Sequence, residues 1–148
     1  MGRSRLACFA IVAATLAALT LSSCTSAITD TRVQQAVQTS FGNLYELQQQ
    51  QRGMVVDSDH LNVRVACDRG AASAARGPGD DWTCNVTWRT VSATTGAAAY
   101  SLNVHADGCF TADGDGPADL NGSPTLVDTA GQTVVNPLWA FDSCFPLS

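Results

Sequence analysis

The sequence predicts an α+β fold, one N-terminal amphipathic helix packed on an antiparallel meander of about four strands. Three observations carry that expectation. Apolar residues recur at helical spacing between Asp30 and Gln51. After Gly53 the period falls to two, and three alternating segments follow, separated by turn-rich stretches. Four cysteines, Cys67, Cys84, Cys109 and Cys144, are spread through that second region at spacings suited to two disulfides.

The helix is expected from Asp30, a candidate N-cap, to Gln51. Val33, Val37, Phe41, Leu44 and Leu47 supply its apolar face. Arg52-Gly53 is the expected stop, and the glutamine run Gln48 to Gln51 reads as a solvated last turn. Leu61 to Cys67 (LNVRVAC) alternates as a first strand. Asp68 to Asp81 is a Gly/Ala-rich loop. Trp82, Cys84, Val86 and Trp88 share one face of a second strand, and Tyr100, Leu102 and Val104 one face of a third. A fourth strand is expected to begin at Cys109. Short connections favour antiparallel neighbours, and a single amphipathic helix can cover one face of such a sheet. Trp82 and Trp88 are expected in the core beneath it, the alternative being an exposed carbohydrate platform. Trp139 and Phe141 are expected to pack beside the last disulfide.

The first residues decide the context of those cysteines. MGRSR is basic, and Leu6 to Leu21 is an apolar run too short for a comfortable membrane span, which needs about 20 residues. The run ends in Leu21-Ser22-Ser23-Cys24. That order resembles the lipobox of bacterial lipoproteins. The resemblance implies a signal peptide over 1–23, cleavage before Cys24, and a diacylglyceryl group on the Cys24 sulfur. The partner so implied is the lipid bilayer, and the location is the extracytoplasmic face of the cell membrane. Acyl burial contributes roughly 0.8 kcal/mol per CH₂, so two chains anchor stably where one is marginal. Residues 24–29 then form a short tether, and 30–148 a single domain.

Removal of 23 residues from 148 leaves 125, enough for one core. The chain has no lysine, and two of its eight arginines leave with the leader. Six arginines then face thirteen acidic residues, a formal charge of −7. Such a surface argues against nucleic acid and against electrostatic docking on anionic lipid. Cys8 departs with the leader and Cys24 is assigned to lipid, which leaves an even number in an exported chain. Of the three possible connectivities, Cys67–Cys84 with Cys109–Cys144 is favoured, because each pair flanks a loop or irregular segment. Closing such a loop is worth on the order of 3 kcal/mol. The absence of any C-x-x-C pair argues against both zinc and thiol redox chemistry.

The central CDRG…DDWTCNVTW…YSLNVHADG is similar to small envelope lipoproteins of high-GC Gram-positive bacteria. That similarity implies a fold and a location, with no catalytic residue to carry over. No cofactor is expected, with one reservation. TADGDGPADLNG places Asp113, Asp115 and Asp119 close together, as a calcium loop would. It departs from the EF-hand, because Pro117 takes a ligand position and no glutamate closes the loop. Asp-Gly and Gly-Pro are also ordinary turn chemistry, and a plain turn-rich loop is the default. His60 and His105 are expected on the surface, and no G-x-S-x-G elbow is present. Three function classes follow. They are a non-enzymatic binding or accessory module of the envelope, a ligand-capturing or sensory lipoprotein serving a membrane partner, and a hydrolase. A concave pocket between helix and sheet would favour the second, and convergent His and Asp side chains the third.

Overall fold

The computed structural model describes residues 27–70 and 75–147. The leader and residues 24–26 of the tether, with the lipobox cysteine Cys24, lie outside the described residues. Helix α1 spans Asp30–Gln51 and precedes every strand described. Its N-cap is Thr29, not Asp30. Thr29 is extended, and its hydroxyl accepts the Arg32 N–H at 3.3 Å. Asp30 is already helical, and its carboxylate accepts the Thr31 N–H at 2.7 Å, which suits an acid in the first turn. The helix stops where Gly53 adopts φ +78°, a left-handed conformation natural to glycine.

A 3-10 turn, Ser58–His60, leads to the sheet. Strand β1 (Arg64–Arg69) starts later than the alternation suggests. Asn62 sits at φ +46° and breaks the extended run, while Leu61 is buried and its carbonyl accepts the Arg89 N–H. Strands β2 (Gly79–Arg89), β3 (Thr95–Val104) and β4 (Cys109–Asp115) continue an antiparallel meander. The chain then leaves the sheet. A short helix α2 (Ala118–Asn121) and a hairpin of β5 (Thr125–Val127) and β6 (Thr133–Val135) intervene. Strand β7 (Ala140–Cys144) returns and pairs antiparallel with β4. The main sheet thus has five strands, in the order β1-β2-β3-β4-β7. The expected four-strand meander gains a fifth member at its far edge.

The alternation on β2 and β3 decides the core. Trp82, Cys84, Val86 and Trp88 all point inward, with Tyr100, Leu102 and Val104 beside them. Val33, Val37, Phe41 and Tyr45 of α1 belong to the same cluster. Phe41 is the hub: its ring lies 4.8 Å from Trp88 and 6.1 Å from Tyr100. Burial of a Phe-sized side chain contributes about 1.5–3 kcal/mol. The opposite face of the sheet carries exposed polar residues such as Thr83, Asn85, Ser101 and Thr111.

Two expectations about α1 are corrected. Leu47 is 43% exposed, because it lies about 120° around the helix from Phe41. Gln48, seven residues on, returns to the buried face and is 0% exposed, with Gln49 buried beside it. The glutamine run is therefore not a solvated turn. Gln48 Nε2 donates to the Leu120 carbonyl at 2.6 Å and to Asn136 Oδ1 at 2.7 Å. Asn136 Nδ2 in turn donates to the Leu120 and Ser123 carbonyls. This buried amide network fastens the excursion between β4 and β7 to the end of α1.

Both disulfides are cross-strand. Cys67–Cys84 joins β1 to β2, and Cys109–Cys144 joins β4 to β7. Cys67 and Cys84 face the core, whereas Cys109 and Cys144 alternate with Phe110 and Ser143 onto the outer side. Phe141 faces inward against Tyr100 at 5.2 Å, so it packs on the side opposite the last bridge. Trp139 is 41% exposed and lies outside the core. Its carbonyl, not its ring, is held in place, by the Gly114 N–H.

Candidate functional site

A groove of about 420 Å³ lies at the C-terminal end of α1. Four elements meet there. Helix α1 brings Tyr45, Gln49 and Arg52, and the end of β2 brings Trp88. The β2–β3 connection adds Thr90, Val91, Ser92 and Thr94, and α2 with its preceding proline closes the far side. The groove thus forms where the helix, the sheet and the excursion converge.

Its aromatic wall is rigid. The Trp88 ring packs 5.6 Å from Tyr45 and 4.8 Å from Phe41. Its other side rests on Gly96, where a Cβ would collide with the six-membered ring edge next to Nε1. Gly96 therefore lets β3 approach the indole closely. Trp88 is only 5% exposed, and its Nε1 donor has no hydrogen-bond partner among the described residues. An indole nitrogen can only donate, and leaving such a donor unpaired costs about 1–3 kcal/mol. Trp82, by contrast, donates from Nε1 to the Gly77 carbonyl at 3.2 Å, and Arg69 lies over its ring.

The rim is hydroxylic. Thr90 and Thr94 share a hydrogen bond between their hydroxyls at 2.7 Å, and the Thr94 N–H donates to Thr90 Oγ1. Ala93, at φ +60°, turns the chain between them. Across the groove the Arg52 guanidinium donates to the Asp119 carbonyl, which ties α1 to α2. Gln49 Nε2 donates to Gln48 Oε1 at 3.2 Å and continues the amide network up to the groove wall. Arg52 and Asp119 both line the groove.

Compared with known proteins, the chain matches no family model, no curated protein and no solved structure.

The structure separates the three aspartates that the sequence brings close. Asp113 and Asp115 alternate outward on β4, and Asp119 stands on α2 beside the groove. The segment expected as a turn-rich loop is strand through Asp115. Among the described residues no group of three or more His, Cys, Asp or Glu side chains converges as a metal site would. His60 lies on the 3-10 turn with Nδ1 2.7 Å from Asp57 Oδ2, and both side chains are exposed. The Asp59 backbone N–H, then the His60 side chain, hold the Asp57 carboxyl below its ordinary range. His105 is exposed beyond the end of β3. Gln49, Arg52 and the Thr90–Thr94 pair were not among the expected site residues. The available signals were the helical spacing that returns Gln48 to the face of Phe41, and Gly96, which pairs with Trp88 across β2 and β3.

Proposed function

We propose that this protein is a membrane-anchored, extracytoplasmic lipoprotein that serves as a non-enzymatic binding module of the cell envelope. The observation that carries the reading is a sequence of events along the chain. A basic start, an apolar run and Leu21-Ser22-Ser23-Cys24 are followed, after a few residues, by a domain with both edges of its sheet fastened by disulfides. Disulfides of this kind persist in oxidising compartments. Among the described residues no helix is long and apolar enough to cross a membrane. In this reading the lipid on Cys24 supplies the attachment.

A second reading is favoured by one specific feature. The groove lies between helix and sheet, and such concavities with a few convergent polar groups are where small ligands bind. It supports a ligand-capturing lipoprotein that serves a membrane partner. The anchor is tested by Cys24→Ala in the full chain. The variant is expected to leave the membrane fraction or to accumulate as uncut precursor. Normal processing with unchanged membrane retention overturns the proposal.

A further inference from the structure

We infer that the Cys109–Cys144 bridge is a thiol-exchange site, opened at Cys144 by a dithiol oxidoreductase while Cys67–Cys84 stays closed. The site is independent of the lipid on Cys24. The two bridges are matched in topology and opposite in access. Each joins a rim strand to its inner neighbour through directly opposed residues. Cys67 and Cys84 face the core, 8% and 0% exposed, on the side where α1 packs against β1. Cys144 is exposed and Cys109 half-buried, on the other side of the sheet. The outward residues around them, Asn103, Thr111 and Asp142, are exposed as well. Among the described residues, therefore, nothing covers the sheet at this bridge. Disulfide exchange is governed by access to a sulfur, and the buried bridge offers none until the core opens.

The register also selects the sulfur. Cys109 and Cys144 stand directly opposite, so their bond runs across the strands from β4 to β7. Strand β7 is the last of the sheet, and a nucleophile in line with that bond reaches the Cys144 sulfur from beyond the open rim. A thiolate of the oxidoreductase bonds to Cys144 Sγ, and the bond to Cys109 breaks. Cys109 leaves with the electron pair as a thiolate and takes a proton from water. The second thiolate of the oxidoreductase then attacks the oxidoreductase sulfur of that mixed disulfide. Cys144 is released as a thiolate and protonated in turn, and the oxidoreductase departs as a disulfide, having given up two electrons. The opened bridge spans 35 residues of sequence, from β4 through α2 and the β5–β6 hairpin to β7. Opening it removes a covalent constraint on the segment that carries α2, while β7 keeps its pairing with β4.

The test starts from the isolated, folded protein with both bridges closed. Reduced thioredoxin is added, the reaction is quenched with iodoacetamide, and each cysteine is read in chymotryptic peptides. Cys109 and Cys144 should become labelled together, about tenfold or more faster than Cys67 and Cys84. The near-ultraviolet circular dichroism of the core aromatics should still be present when the label appears, because the exchange takes place in the folded state. Thioredoxin lacking its second active-site cysteine should be trapped as a mixed disulfide on Cys144. The inference is overturned if Cys67 and Cys84 are labelled as fast, if neither bridge opens while the dichroism persists, or if the trapped thioredoxin sits on Cys109.

Discussion

The side-chain amide of Gln48 meets that of Asn136 at 2.7 Å inside the protein, across a separation of 88 residues. One belongs to the helix, the other to the chain re-entering the sheet. Both are buried, so the contact sets how the excursion between β4 and β7 sits on α1.

The amide pair should be energetically coupled. Gln48→Ala is expected to lower stability by about 2–4 kcal/mol, through a cavity and the loss of three buried hydrogen bonds. Asn136→Ala should cost at least as much, because its carboxamide serves four partners. A double-mutant cycle in urea should return a coupling of about 1 kcal/mol or more. Strict additivity would mean that the two amides do not act together.

Gly96 should tolerate no side chain. A Cβ there would fall on the Trp88 ring, which Phe41 and Tyr45 hold from the other side. Gly96→Ala should destabilise by about 1–3 kcal/mol through overpacking. It should also shift tryptophan emission, best followed with Trp139→Phe as background because Trp139 is the exposed indole. An unchanged midpoint and spectrum would show that the strand relaxes freely.

The two bridges should differ in worth. Non-reducing peptide mapping should find Cys67 with Cys84 and Cys109 with Cys144. Replacing either pair by alanine should cost about 2–5 kcal/mol. The sequence separations are 17 and 35. Loop-closure entropy then makes the second worth about 0.6 kcal/mol more. Free thiols in exported protein, or a Cys84–Cys109 peptide, would refute the connectivity.

Tyr100 should resist ionisation. Burial pushes its phenol well above the usual value near 10, and the Asn121 side chain offsets this only in part. Its hydroxyl donates to the Leu138 carbonyl at 3.2 Å. A raised folded value means that the contribution to stability is complete below about pH 10. It is lost as pH rises toward the folded value. Ultraviolet titration should show Tyr100 ionising only together with unfolding. A phenolate formed near pH 10 in the folded state would contradict its burial.

The helix and the central strands were legible because local pattern and burial agree there. Apolar spacing marks α1 from Val33 to Tyr45 and Arg52-Gly53 marks its stop, and strict alternation marks Trp82 to Trp88 and Tyr100 to Val104. The groove was less legible. Gln48 and Gln49 read as solvent residues because an amide looks polar until its partners are known, and theirs lie far along the chain. Strands β5 and β6 are three residues each, too short for a period to register. Trp139 looked like core by type. It is instead carried outward between the Asn136 turn and the pairing of Ala140 with Asp113.

The placement of the disulfides has a consequence for assembly. Each ties a rim strand to its inner neighbour, one pair facing inward and the other outward. A slip of one residue in either rim strand would turn its cysteine to the side away from its partner. Oxidation can therefore close only on the correct alignment, and it proofreads both rims of the sheet. Once closed, neither rim can be traded for the strand of another copy, a hazard common to open sheets. Each molecule that passes this check keeps its own rim strands.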